Sequence, residues 1–158
     1  PDMEVETIYC SPLRRAVATG RILYPRARVV LVPALREMDF GLFEQKSYLD
    51  LGQDPQYQQW LDSGCQDPCP GGESIAQFAR RVCQGFEQIV EQAAAQGQER
   101  VVLVAHGGTL MALMGTYAWP RQDYFQWKTP NCGGYAARWD GEKRRLCPWR
   151  ALEEGGRL

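Results

Sequence analysis

The chain has 158 residues, of which 44% are apolar and 23% charged, values that suit one domain with one sizeable core. Its formal net charge is -1 and its pI about 5.9, which excludes the strongly basic surface that nucleic acid or an acidic membrane needs as a bulk partner. No apolar run approaches the roughly 20 residues of a membrane helix, and the opening "PDMEVET" is too polar and acidic for a signal peptide.

In chain order, "ETIYCS" (residues 6–11) predicts a short strand. "SPLRRAVATGRILY" predicts a helix with Ser11 as its N-cap, Pro12 at the first helical position, and Leu13, Ala16, Val17 and Gly20 as its inner stripe. Arg14 and Arg15 fall in its first turn, where cations oppose the macrodipole. Either they lie on a solvated face, or a bound anion offsets the repulsion. A guanidinium fork beside a helix start suits a phosphate. "RVVLVP" (residues 28–33) predicts a second strand ended by proline.

"ALREMDFGLFEQKSYLDL" (residues 34–51) predicts a loop entering short helical pieces. Glu37 in it follows a strand and its loop. A carboxylate there is either a surface ion-pair partner or a general acid, the latter if burial or a nearby anion raises its pKa. Asp39 and Glu44 are rival candidates. "QDPCPGGES" (residues 66–74) is a loop by composition. The six cysteines, Cys10, Cys65, Cys69, Cys83, Cys132 and Cys147, are scattered, so reduced thiols in a cytoplasm are expected instead of a disulfide scaffold. Cys65 and Cys69 are spaced like a metal half-site, but zinc needs two further ligands, so structural thiols are expected there.

The clearest helix starts after Ser74, which with Gln77 forms a capping-box pattern. Ile75, Phe78, Ala79, Val82, Phe86, Ile89, Val90 and Ala93 recur at helical spacing, and Gly97 is the stop. "VVLVA" (residues 101–105) is a continuous apolar run, as expected of a strand buried on both faces of a parallel sheet. "TLMALMGTYAW" predicts a helix closed by Pro120. "GYAARWDGEKRRLCPW" predicts a hairpin turning at Asp140 and Gly141, an antiparallel edge. Strands alternating with helices give an α/β fold: a three-layer sandwich, its sheet mostly parallel and covered by helices on both faces.

In such sheets ligands gather at the carboxyl ends of the strands. His106, the only histidine, falls at one of them and is followed by Gly107 and Gly108. The two glycines leave the backbone open, and the helix behind them offers unpaired N–H groups to an anion. The plainer reading is a buried histidine satisfied by a backbone carbonyl. Together the residues point to an anion site, for phosphate, built from an arginine, a histidine and a carboxylate.

Three stretches in this order, "YCSPLRRAVAT", "LREMDFGLFE" and "VAHGG", resemble the histidine phosphatase superfamily, which includes the phosphoglycerate mutases. "PGGES", followed by an amphipathic helix with Arg81, resembles a further family segment. The resemblance runs from about Glu6 to the hairpin and implies a single domain over residues 1–158. It implies that Arg15 is the phosphate-binding arginine, with Arg14 at a variable place, and that Ser11 and Gly107 also bind substrate. It implies that Glu37 is the proton donor and His106 the second catalytic histidine. The superfamily opens with a strand ending in Arg-His-Gly, whose histidine is the nucleophile. No Arg-His-Gly occurs here, and the resemblance implies that this first strand and its helix precede Pro1.

The implied activity is hydrolysis of a small-molecule phosphomonoester through a phosphohistidine, with no metal and no cofactor. The alternatives are mutase-type phosphoryl transfer and a non-catalytic phosphate-binding pseudo-enzyme. Within the superfamily, "LREMDFGLFE" and "PGGES" look most like alpha-ribazole phosphatases of cobalamin synthesis, which makes alpha-ribazole 5'-phosphate the candidate substrate. Glu44-Gln45 departs from the usual Glu-Gly. Tyr48, Tyr57 and Trp60 either stack on a substrate base or pack. No nucleic-acid or membrane partner is expected, and the cytoplasm is the expected compartment.

Overall fold

The structure is a computed structural model that describes residues 5–152; Pro1, and the orientation of the Tyr48 side chain, lie outside what is described. In chain order the elements are β1 (Thr7–Cys10), α1 (Arg14–Leu23), β2 (Arg28–Leu31), α2 (Tyr48–Leu51), α3 (Pro55–Asp62), α4 (Ile75–Ala95), β3 (Val102–Val104), α5 (Gly107–Tyr117), β4 (Gly134–Asp140) and β5 (Arg145–Leu152), with short 3₁₀ turns at Pro33–Leu35, Gly41–Phe43 and Tyr124–Trp127. They form two compact units, Pro1–Glu37 with Val82–Leu158, and Met38–Arg81. No helix among the described residues is long and apolar enough to cross a membrane.

In the first unit β1 is the middle strand of a parallel sheet ordered β2-β1-β3. Side chains alternate across a strand, so its residues serve two cores. Ile8 and Cys10 pack with Ala16 and Val17 of α1, whereas Tyr9 packs with Leu35 and with Ile89 of α4. Helices therefore cover both faces of the sheet. Gly20 allows α1 to lie close on β1, since a Cβ there would approach Ile8 Cδ1 to 2.8 Å.

Three details differ from expectation. Ser11 is not an N-cap: α1 begins at Arg14, Leu13 holds the cap position in extended backbone, and the Ser11 hydroxyl is engaged by His106 instead. β3 is not buried on both faces. Val102 and Leu103 are half-buried, because among the described residues β3 has a strand neighbour only at β1. The hairpin is antiparallel as expected, but it forms a two-stranded sheet of its own. The stretch after α5 takes the edge of β5, where Trp119 N–H donates to Leu146 O at 2.9 Å. Asp140 and Gly141 open the turn, which is set by Lys143 N–H donating to Asp140 Oδ1 at 3.1 Å and by Arg144 in left-handed backbone (φ 50°). Glu87 of α4 anchors this region by accepting hydrogen bonds from Tyr117 of α5 and from Arg144.

α4 begins as its sequence dictates: Gln77 N–H donates to Ser74 Oγ at 3.1 Å, and Ser74 N–H donates back to Gln77 Oε1 at 2.9 Å. Gly97 takes a positive φ of 68° two residues beyond its end.

The second unit contains the short helical pieces expected after Glu37, together with α3, which that reading passes over. The signal for α3 is Asp54-Pro55: Asp54 Oδ1 accepts from Gln56 N–H at 2.9 Å, and proline occupies the first helical position. Tyr57 and Trp60 pack with Phe43, with ring centroids 5.3 to 5.9 Å apart. Arg81 grips Glu73 through two bonds of 2.7 Å, and Glu73 Oε2 accepts from Asp39 N–H at 3.0 Å. The family-segment arginine thus clamps the loop preceding its own helix.

Candidate active site

Ser11 follows β1 and is fully buried, its N–H donating to Val104 O at 2.9 Å. That bond extends the sheet by one residue and brings the chain ends of β1 and β3 side by side. Ser11 Oγ accepts from Leu13 N–H at 3.3 Å and lies 2.7 Å from His106 Nε2. Nε2 donates or accepts across that contact according to the ring's tautomer.

His106 follows β3 in extended backbone (φ -134°, ψ 164°) as the N-cap of α5, but its side chain makes no cap bond and turns back to Ser11. The histidine is buried and satisfied, by a hydroxyl instead of the backbone carbonyl considered above. Burial, and secondarily the Arg15 guanidinium, push its pKa down to about 4, so the ring is neutral near pH 7.

Arg15 lies in the first turn of α1 and is exposed. Of the two adjacent arginines, it is Arg15 whose charge acts on His106. Gly107 and Gly108 serve different neighbours. A Cβ at Gly107 would meet nothing within 4 Å, whereas one at Gly108 would collide with Glu37 Oε1. Gly108 N–H donates to Glu37 Oε2 at 3.3 Å, so a first-turn amide of α5 holds the carboxylate.

The rival carboxylates serve the second unit. Asp39 Oδ1 accepts from Gly41 N–H, and Glu44 Oε1 from Phe40 N–H, each at 2.9 Å. Burial, followed by the charge of Cys65, pushes the Cys69 thiol up to about 11, and all six cysteines are free. Among the described residues no cluster of three or more metal-ligating side chains occurs, so the Cys65–Cys69 pair is not completed there.

Two residues of the site escaped the sequence reading. Thr109 is buried and donates from Oγ1 to Leu35 O at 3.3 Å, tying α5 to the segment that carries Glu37. Tyr124 is pushed up to about 12, first by burial and then by the charge of Glu37. Neither stands in a local pattern that would mark it.

The chain is 34% identical over 116 residues to a Hydrogenobacter thermophilus protein provisionally named as a phosphoserine phosphatase, covering 70% of this chain and 55% of that one. It is 28% identical over 113 residues to the adenosylcobalamin/alpha-ribazole phosphatase of Escherichia coli, covering 69% of this chain and 54% of that one. The chain thus spans about half the length of the curated relatives it matches. Its fold superposes on the crystal structure of the alpha-ribazole phosphatase from Shigella flexneri with a TM-score of 0.77 at 23% identity, over 99% of this chain and 79% of that one. The sequence profile of the histidine phosphatase superfamily (branch 1) matches residues 1–151, and the chain belongs to that superfamily.

Proposed function

We propose that the protein is a phosphomonoesterase acting on a small-molecule phosphate ester through a phosphohistidine. The observation that carries this reading is the convergence of Ser11, Arg15, His106 and Glu37 on the first turn of α5. A helix start beside an arginine attracts a phosphoryl group. The neutral His106 gains affinity for a proton when a dianion arrives, and then adds to the positive field on the phosphoryl oxygens.

In this mechanism an imidazole attacks phosphorus in line. The P–N bond forms as the P–O bond to the leaving group breaks, and the leaving oxygen takes its proton from Glu37. Water then attacks the phosphohistidine, giving its proton back to Glu37 and releasing phosphate. His106 is the chain's only histidine and is committed to Ser11, so on this reading the attacking imidazole comes from outside these 158 residues. As substrate we put forward alpha-ribazole 5'-phosphate, on the likeness to the Escherichia coli and Shigella flexneri phosphatases. Six free thiols suit a reducing compartment such as the cytoplasm.

The test is turnover by the protein expressed from its complete coding sequence. Hydrolysis of p-nitrophenyl phosphate that is unaffected by a chelator is expected, with alpha-ribazole 5'-phosphate preferred over phosphoserine. Chelator-sensitive turnover would sink the metal-free mechanism. Phosphate binding without turnover would make the protein a pseudo-enzyme, and net transfer between phosphoglycerates would make it a mutase.

A further inference from the structure

Gly108 and Gly115 are seven residues apart in α5, so they share one face of the helix at an axial separation of about 10 Å. Each glycine seats a side chain from elsewhere in the same unit. The Glu37 carboxylate lies on Gly108, where any Cβ would collide with it. The Tyr124 ring lies on Gly115, with Cδ2 3.4 Å from the position of a Cβ there. The 3₁₀ turn carrying Tyr124 is held by Asp123 N–H donating to Gln126 Oε1 at 3.1 Å, and Tyr124 packs edge-on against Phe125 with centroids 5.1 Å apart.

On the helix face that also seats the Glu37 carboxylate, the phenol is pushed up first by burial and then by the charge of Glu37, and stays protonated to about pH 12. Among the described residues the phenol oxygen makes no hydrogen bond, and it is not among the buried atoms left without a partner. An O–H donor that keeps its proton, reaches solvent and shares a helix face with a carboxylate is suited to the oxygen on which that carboxylate acts. An arrangement made only for packing would be met equally by phenylalanine.

Resting on the phosphatase reading, we propose that the Tyr124 phenol donates a hydrogen bond to the ester oxygen that Glu37 protonates, and thereby favours alkyl phosphates, whose leaving groups need a proton, over aryl phosphates. No proton leaves Tyr124. Glu37 supplies the proton, and the phenol steadies the oxygen while negative charge builds on it.

Two measurements test this. In the first, 3-fluorotyrosine is placed at position 124 and its titration followed by fluorine NMR, with and without Glu37→Gln. The fluorophenol is expected to titrate above free fluorotyrosine and to fall when the carboxylate is neutralised. A titration indifferent to Glu37→Gln overturns the proposal whatever turnover shows. In the second, the complete native protein and its Tyr124→Phe variant are compared on glycerol phosphate and p-nitrophenyl phosphate. The loss of kcat is expected to be about tenfold or more greater on the alkyl ester, with little change in KM. An equal loss on both esters marks a merely structural role, and no loss on either removes Tyr124 from the site. Native protein inactive on both esters overturns the phosphatase reading and this inference together, whereas native turnover with an indifferent fluorine titration overturns this inference alone.

Discussion

At the scale of single residues, His106 carries a pH signature that needs no substrate. In the unfolded chain a histidine titrates near 6.5, and in the fold His106 titrates near 4, lowered mainly by burial. Between those values the unfolded state holds a proton that the folded state refuses. The contribution is therefore complete above about pH 6.5 and is lost as pH falls towards 4, reaching about 3 kcal/mol. Urea titrations at pH 7 and pH 4.5 are expected to show this loss, and His106→Asn to lack most of it; an identical pH dependence in the variant would mean the ring is not held neutral. Arg15→Ala is expected to weaken phosphate binding about 10- to 100-fold by calorimetry, the loss of one charge-assisted bidentate contact. An unchanged affinity would remove Arg15 from the anion site. The same change at Arg14 is expected to do little, since its charge is not among those acting on His106. Composition and helix position do not separate the two arginines; the family resemblance names Arg15, and the structure adds that the Arg15 charge acts on His106.

At the scale of elements, α4 was legible because its cap, its apolar spacing and its terminal glycine all agree. Ser74→Ala removes the hydroxyl that accepts from Gln77 N–H and is expected to cost about 1 kcal/mol in chemical denaturation. Gly85 is less obvious. In the middle of a helix, alanine is favoured over glycine by about 1 kcal/mol from propensity alone. Here a Cβ would collide with Ala34 Cβ, and overpacking of this kind costs about 1–3 kcal/mol. Gly85→Ala is therefore expected to lower the melting temperature, and Ala34→Gly in the same chain to recover most of the loss. A stabilising Gly85→Ala would show that the contact yields freely. Ser11 illustrates the opposite case: Ser-Pro is a sound helix start on local grounds, but a buried hydroxyl beside an imidazole is worth more than a cap exposed to water.

For the whole molecule, anion binding and protonation are linked. Sulfate stays dianionic across the weakly acidic range, so any proton taken up when it binds comes from the protein. Near pH 5.5, binding is expected to be accompanied by proton uptake, read by calorimetry in buffers of different ionisation enthalpy, because a dianion raises the pKa of the adjacent His106. Uptake that persists in His106→Asn would assign the proton elsewhere. The sequence by itself determined the alternation of strands and helices, the mostly parallel sheet covered by helices on both faces, and the cap and end of α4. These follow from backbone periodicity and from contacts within a few residues. Only the tertiary structure decided which side chains meet: Ser11 with His106 across 95 residues of chain, Glu37 with the Gly108 amide across 71, and Tyr124 on the face of α5 that carries both glycines. Such contacts exist only once the sheet has brought the ends of β1 and β3 together and buried what lies between them, a condition that no local stretch contains.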